Sequence, residues 1–265
     1  MYDIRHNSSS LVIRKDDDEI SFLTLNRPKA YNALSIECME TLTDQLEEIS
    51  NDPSVKLIVI SGSGKGFCAG HDLKELRENK DKDFYDKTFK TCSKMLLTIR
   101  HSPKPVIAKV HGIATAAGCQ LVATCDLAVA EENAKFATPG VNIGLFCSTP
   151  MVALTRSVAR KHAMEMLLTG EMTSAQKAYE IGLINRVVTF DSLDEAVKEL
   201  AGKIKYKSPL TLRIGKEAFY KQIEMDIENA YEYCGKVMVD NLMTQDADEG
   251  IDAFLEKRDP ILSGK

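Results

Sequence analysis

The sequence has no run of about 18 apolar residues, so it offers no membrane-spanning helix. Its first residues, MYDIRHNSSS, lack both an apolar h-region and an Arg-rich amphipathic pattern, so neither a signal nor a transit peptide is expected. Positive charge is not in excess: 34 Lys and Arg stand against 39 Asp and Glu, a net charge of −5. Phosphate backbones need a basic face, which argues against nucleic acid as the main ligand but leaves room for a small anion held locally. The seven cysteines, Cys38, Cys68, Cys92, Cys119, Cys125, Cys147 and Cys234, include no CxxC pair, and no HExxH occurs among the five histidines. An odd number of scattered cysteines, several in apolar runs, reads as free thiols in a reducing compartment, with no zinc site expected.

Familiar nucleotide and hydrolase signatures are missing too. Gly62-Ser63-Gly64-Lys65-Gly66 fits neither the GxxxxGK[ST] spacing of a P-loop nor the GxGxxG dinucleotide fingerprint, and no GxSxG elbow occurs. What the chain does have is length and apolar content. With 265 residues, 44% of them hydrophobic, it buries roughly three quarters of its unfolded surface and needs no metal or disulfide staple.

Leu11 to Arg14 and Ile20 to Leu25 read as a hairpin with Asp16-Asp17-Asp18 at its tip. Ser35 caps a helix in which Ile36, Met39, Leu42, Leu46 and Ile49 recur at helical spacing. The runs Leu57 to Ile60, Val106 to Ala108 and Leu127 to Ala130 are apolar without alternation, with helical segments between them. Strands buried on both faces look like this, so parallel pairing in βα-type units is expected. The first two runs share an echo: a strand, a turn of small residues, then a helix start. Two such turns side by side could aim two backbone N–H donors at one oxygen. Beyond Pro150 the chain turns helical. Arg160 to Thr169 stops at Gly170, Ser174 caps the next helix, Asp191 caps another, Pro209 starts a longer one, and Glu224 to Met243 and Ala247 to Lys257 follow. The division expected is a core over 1–205 and a helical region over 206–265 that packs on the core and on a neighbouring subunit.

Four blocks then point to one family. Asn26-Arg27-Pro28-Lys29-Ala30-Tyr31-Asn32-Ala33-Leu34 resembles the NRPxxxNAL segment of the crotonase, or enoyl-CoA hydratase/isomerase, family. Phe67 to Leu73 resembles its FxAGxDL loop, Gly112 to Asp126 its G-x-A-x-G-G-G-C-x-L…CD segment, and Glu249 to Arg258 its EGxxAFxEKR signature. Order and spacing hold from about residue 11 to 260. Within the family, Ala114 to Gln120 and Phe136 to Pro150 resemble the enoyl-CoA hydratase domain-containing protein 3 group.

The resemblance implies an α/β fold, a spiral of ββα units with a helical C-terminal trimerisation region. It also implies a homotrimer or a dimer of trimers, and an acyl-CoA thioester as substrate or ligand with no separate cofactor. It implies an oxyanion hole made of the N–H groups of His71 and Ala117, and losing one such donor costs about 3–4 kcal/mol of transition-state stabilisation. Asn32, Ala69, His71, Asp72, Leu73, Lys74 and Ala117 would hold the ligand, and Phe254 and Lys257 would meet its adenine end, in a neighbouring subunit's site where the assembly requires it. The two glutamates that add water in hydratases fall at Gln120 and Gly140, and neither residue exchanges a proton at neutral pH. Each acid or base is worth about 10²–10⁴ in rate, so efficient hydration is not expected.

The alternatives are isomerase, decarboxylase or thioesterase chemistry, or acyl-CoA binding without turnover. Restoring both glutamates would separate these. Cys147, near a helix start, is a candidate nucleophile, with a buried inert thiol as the plainer reading. The imidazole of His71 is expected to turn to solvent or ligand, leaving only its backbone in use. His111, Cys119 and Cys125 read as structural, Asp72 as a helix cap and Asp126 as a strand-ordering residue. RNA binding, known in one branch of the family, would use Lys198, Lys203, Lys205 and Lys207, which acidic neighbours dilute. The expected location is the cytoplasm, or the mitochondrial matrix for a processed eukaryotic chain.

Overall fold

A computed structural model describes residues 10–265. The chain opens with strands β1 (Val12–Asp17) and β2 (Ile20–Leu25), an antiparallel hairpin. Its turn is Asp18-Glu19, both at positive φ, and not the expected Asp16-Asp17-Asp18: Asp17 still pairs with Ile20. A two-residue turn with positive φ at both positions matches the twist of the flanking strands, which a longer acidic tip would not.

Helix α1 (Ile36–Ser50) begins where the Ser35 side chain accepts from the Cys38 N–H, and strand β3 (Leu57–Gly62) follows it. Next come α2 (Leu73–Glu78), α3 (Lys82–His101), β4 (Val106–Val110), β5 (Ile113–Thr115), α4 (Ala117–Thr124), β6 (Leu127–Glu131) and β7 (Lys135–Ala137). Then come α5 (Pro150–Ser157), α6 (Arg160–Thr169), the short β8 (Thr173–Ser174), α7 (Ala175–Glu180), β9 (Arg186–Val188) and α8 (Leu193–Lys205). The chain closes with α9 (Pro209–Gln222), α10 (Ile227–Leu242) and α11 (Gln245–Glu256). Asp191, expected as a cap, lies inside a 3₁₀ turn, Phe190–Ser192, so α8 starts one residue past the turn.

Six strands form one sheet in the order β1-β2-β3-β4-β6-β9, parallel from β2 onward. Its two faces explain the apolar runs. Ile58 and Ile60 point into the main core with α1 and α3, while Leu57, Val59, Ile107 and Val129 pack against Leu193, Val197 and Ala201 of α8. A second sheet, β5-β7-β8, continues the same winding. Single-residue parallel rungs, Leu34 to His71 and Cys68 to Ala114, extend that layer backward along the chain. Each turn of the winding therefore runs a strand in the first sheet, a short extended stretch in the second, then a helix. This is the expected spiral of ββα units.

Helix α9 is tied to this spiral through Lys216 and Tyr220. The buried Lys216 ammonium donates to Asp126 (2.7 Å) and to the carbonyls of Ile99 and Lys104 (both 3.0 Å). Asp126 also accepts from the Tyr220 hydroxyl (2.8 Å) and the Val106 N–H (2.7 Å), which is the strand-ordering role expected of it. Beyond α9, helices α10 and α11 carry exposed apolar side chains, among them Tyr231, Met238, Val239, Phe254 and Leu255.

Candidate functional site

The loops after β3 and β4 are joined by backbone. Cys68 N–H donates to the Ile113 carbonyl (3.0 Å), and Thr115 N–H donates to the Cys68 carbonyl (2.9 Å). Gly118 makes this approach possible, since a β-carbon there would lie 2.1 Å from the Cys68 carbonyl oxygen. Gly70, at φ +99°, sits so close to the second loop that a β-carbon on it would be 3.2 Å from the Ala117 nitrogen. Just before that nitrogen, Ala116 is held at φ 50°, ψ −118°, a conformation favouring glycine, with its N–H bonded to the Ala137 carbonyl (2.9 Å). Such strain costs of order 1–3 kcal/mol and persists where the surroundings over-determine it. Its effect is to turn Ala117 into the first position of α4, where helix N–H groups have no partner inside the helix. Among the described residues, neither the His71 N–H nor the Ala117 N–H donates to a backbone carbonyl.

Gln120 lies one turn into α4 and is buried. Its Nε2 donates to the Thr149 carbonyl (2.8 Å), and its Oε1 is buried with no hydrogen-bond partner. Gly140 lies in a 3₁₀ turn, Pro139–Ile143, and its carbonyl accepts from the Leu145 N–H (2.9 Å). A β-carbon on Gly140 would meet the Leu145 carbonyl oxygen at 2.4 Å and the Cys147 sulfur at 2.9 Å. The space that a side chain at position 140 would take is thus filled by a backbone oxygen and a thiol. Cys147 is buried, and burial raises its pKa, with a hydrogen bond from Gly140 acting weakly the other way. At neutral pH it is a packed thiol, which corrects its reading as a candidate nucleophile.

Two further expectations change. The His71 imidazole does not turn to solvent: its Nε2 is buried and unpartnered, and the ring stands edge-on to Phe89 of α3 at 5.3 Å. Burial pushes the imidazole pKa down to about 4. Asn32 is fully buried and committed within the protein, so it has no group left for a ligand. Its Oδ1 accepts from Arg27 N–H (2.9 Å), and its Nδ2 donates to the carbonyls of Ser63 (2.9 Å) and Gly66 (2.8 Å). Asn32 shapes the first loop from behind. Asp72 caps α2 as expected, and its carboxylate also pairs with Arg27 (2.6 Å). Partial burial alone would raise its pKa, but the Arg27 bond and the backbone N–H donors outweigh that and lower it.

Leu73 and Lys74 are exposed at the start of α2, and Ala69 is held by its N–H to the Tyr31 carbonyl (2.9 Å). Phe254 and Lys257 stand exposed on α11 and at its end. His111 is structural, its ring bonded to the Gly64 carbonyl (2.9 Å), and Cys119 and Cys125 are buried. The contacts of Phe89, Thr149 and Leu145 carried no motif and were not legible in sequence.

Beside Gln120 opens a cavity of about 660 Å³ between α3, α4, α5 and α9. Leu96, Leu97, Val122 and Ala153 give it apolar walls, and Arg100 and Arg156, which share Glu224, stand in its side. Among the described residues, no group of three His, Cys, Asp or Glu side chains could hold a metal ion, and no helix is long and apolar enough to cross a membrane.

A model of the enoyl-CoA hydratase/isomerase family matches residues 15–265. The chain belongs to this family. Among its relatives is the human mitochondrial enoyl-CoA hydratase domain-containing protein 3, 49% identical over 246 residues, which are 93% of this chain and 81% of that one. The 2,3-dehydroadipyl-CoA hydratase of Escherichia coli is 35% identical, over 97% of this chain and all of that one. Among solved structures, an enoyl-CoA hydratase of Mycobacterium smegmatis is 50% identical with a TM-score of 0.93, covering 95% of this chain and 98% of that one. These likenesses agree with the spiral traced above and establish the crotonase fold of the enoyl-CoA hydratase/isomerase family for this chain.

Proposed function

We propose that this protein binds an acyl-CoA thioester and holds its carbonyl oxygen between the N–H groups of His71 and Ala117, stabilising the enolate form. The observation that carries this reading is the pair of partner-free N–H groups where the zippered loops meet. Two preorganised donors act most strongly where charge develops, out of contact with water. The acyl chain extends past Gln120 into the cavity beside it. Ala69, Asp72, Leu73 and Lys74 meet the pantetheine and adenine ends, and the thioester itself is the ligand, with no separate cofactor.

The relatives' names suggest hydration, but Gln120 and the filled slot at Gly140 supply neither base nor acid. Efficient addition of water is therefore not the expected activity. Isomerisation or another enolate reaction fits the remaining groups. The thiol and carbonyl packed at Gly140 favour one second reading, a thioester binder without turnover. The division at residue 205 and assembly as a trimer or hexamer belong to the same proposal, supported by the exposed apolar side chains of α10 and α11. In that assembly Phe254 and Lys257 reach a neighbouring subunit's ligand. A reducing aqueous compartment, the cytoplasm or the mitochondrial matrix, suits seven unpaired thiols.

The test is calorimetric titration with crotonyl-CoA together with mass spectrometry of the products. Saturable binding with no gain of water is expected. No binding would overturn the proposal, and hydration at enzymatic rates would overturn the argument from Gln120 and Gly140.

A further inference from the structure

Two buried polar atoms in the site have no partner: Nε2 of His71 and Oε1 of Gln120. Leaving such a group unpaired costs about 1–3 kcal/mol, and each instance in a folded protein calls for a reason. Gln120 already uses its amide nitrogen on Thr149, so its oxygen is a fixed acceptor. The His71 ring is different, because an imidazole can take up a proton. It sits on the residue whose N–H we assign to the thioester oxygen, where the two loops meet. Its aromatic neighbour Phe89 shares a face of α3 with Ser93 and Leu96, at i+4 and i+7, and both of these line the cavity beside Gln120.

Resting on the acyl-CoA reading above, we propose that the His71 imidazole is the base that removes a proton from the α-carbon of the bound acyl group, in place of the missing glutamates. The Cα–H bond breaks and its proton goes to Nε2. The electron pair forms the Cα=C bond, and the carbonyl π pair moves to the oxygen held by the two N–H groups. Return of the proton to the α-carbon restores the thioester; when the bound acyl group is a 3-enoyl chain, its return to the γ-carbon instead moves the double bond and releases the 2-enoyl thioester. No oxidant or further reactant is needed.

The surroundings suit this role. A pKa of about 4 gives the ring the base strength of an ordinary glutamate and keeps it neutral at physiological pH. Burial alone sets that value, and the charged groups nearby are engaged elsewhere. Asp72 pairs with Arg27, Glu75 accepts from the Ile36 N–H, and Asp86 pairs with Lys90 on α3. The imidazolium formed in the step would be stabilised by the enolate beside it.

The experiment is deuterium uptake by butyryl-CoA in D₂O, read by mass spectrometry, with binding of the same thioester measured in parallel. Butyryl-CoA has no double bond to hydrate, so uptake reports α-proton removal alone. Wild type is expected to bind and to exchange. His71→Phe keeps the backbone N–H and an aromatic ring against Phe89. It should bind within about threefold of wild type and exchange about 10²-fold or more slowly. In His71→Ala, added imidazole should restore part of the rate, which a purely structural role for the ring would not allow. Binding with equal exchange in wild type and His71→Phe, or binding with no exchange in wild type, would overturn the role of the imidazole while leaving the thioester reading intact. No binding by wild type would overturn that reading itself.

Discussion

Restoring the two glutamates is the obvious route to a hydratase, and the structure opposes it at both positions. At Gly140 a β-carbon would lie 2.4 Å from the Leu145 carbonyl oxygen, and that turn is held by the Leu145 N–H on the Gly140 carbonyl at 2.9 Å. Backbone must move, and overpacking of this kind costs about 1–3 kcal/mol. At Gln120, glutamate would put a carboxylate oxygen where Nε2 now donates to the Thr149 carbonyl at 2.8 Å. Two acceptors then face each other, at a further cost of about 1–3 kcal/mol. Protonation relieves the contact, so the new carboxyl has a raised pKa and is disarmed as a base. The two changes share one loop and will not add simply, but a combined loss of about 2–6 kcal/mol lowers Tm by on the order of 10 °C. Thermal unfolding and crotonyl-CoA hydration should be measured on Gln120→Glu, Gly140→Glu and the double variant. The expected result is a lower Tm in each and no hydration above wild type. A double variant that melts with wild type and hydrates crotonyl-CoA efficiently would refute the argument, because it would show an acid–base slot left intact.

Other outcomes follow from the same geometry. Gly118→Ala brings a β-carbon to 2.1 Å from the Cys68 carbonyl oxygen and should destabilise the fold by about 1–3 kcal/mol or more, measured by denaturant unfolding. Lys216→Met leaves the partly buried Asp126 without its cation, bonded only to Tyr220 and Val106, and should cost about 1–3 kcal/mol, seen as a fall in Tm, where a surface lysine variant would show almost none. The His71 imidazole should titrate near pH 4 by NMR in the ligand-free protein. Because its folded pKa lies below the ordinary histidine value of 6.5, its neutral form is fully accommodated above that pH. Stability is lost as pH falls from 6.5 through 4, by up to about 3 kcal/mol. His71→Phe should flatten that part of the stability profile.

Much of the fold was legible because it rests on local patterns. The unalternating runs at Leu57, Val106 and Leu127 meant burial on both faces, and the sheet is packed by α1 and α3 on one side and α8 on the other. Ser35, Asp72 and Ser174 announced their helices because a cap is a contact across two or three residues. The echo of strand, small-residue turn and helix foretold two loops side by side. What stayed hidden depends on partners distant in sequence. Nothing around Asn32 says that its amide holds the loop at 63–66, some thirty residues on. Nothing around Gly140 says that Leu145 and Cys147 fold back to fill the space beside it. The direction of the His71 ring is likewise set by Phe89 on another helix.

The distribution of the thiols has a practical consequence. Six of the seven cysteines are buried, and Cys234, midway along α10, is the one with part of its surface open. A maleimide dye added to the native protein should therefore attach at a single place with no cysteine needing to be removed first. That place lies on a helix whose apolar side chains face outward, so the colour or anisotropy of the dye would record directly whether another copy comes to rest there.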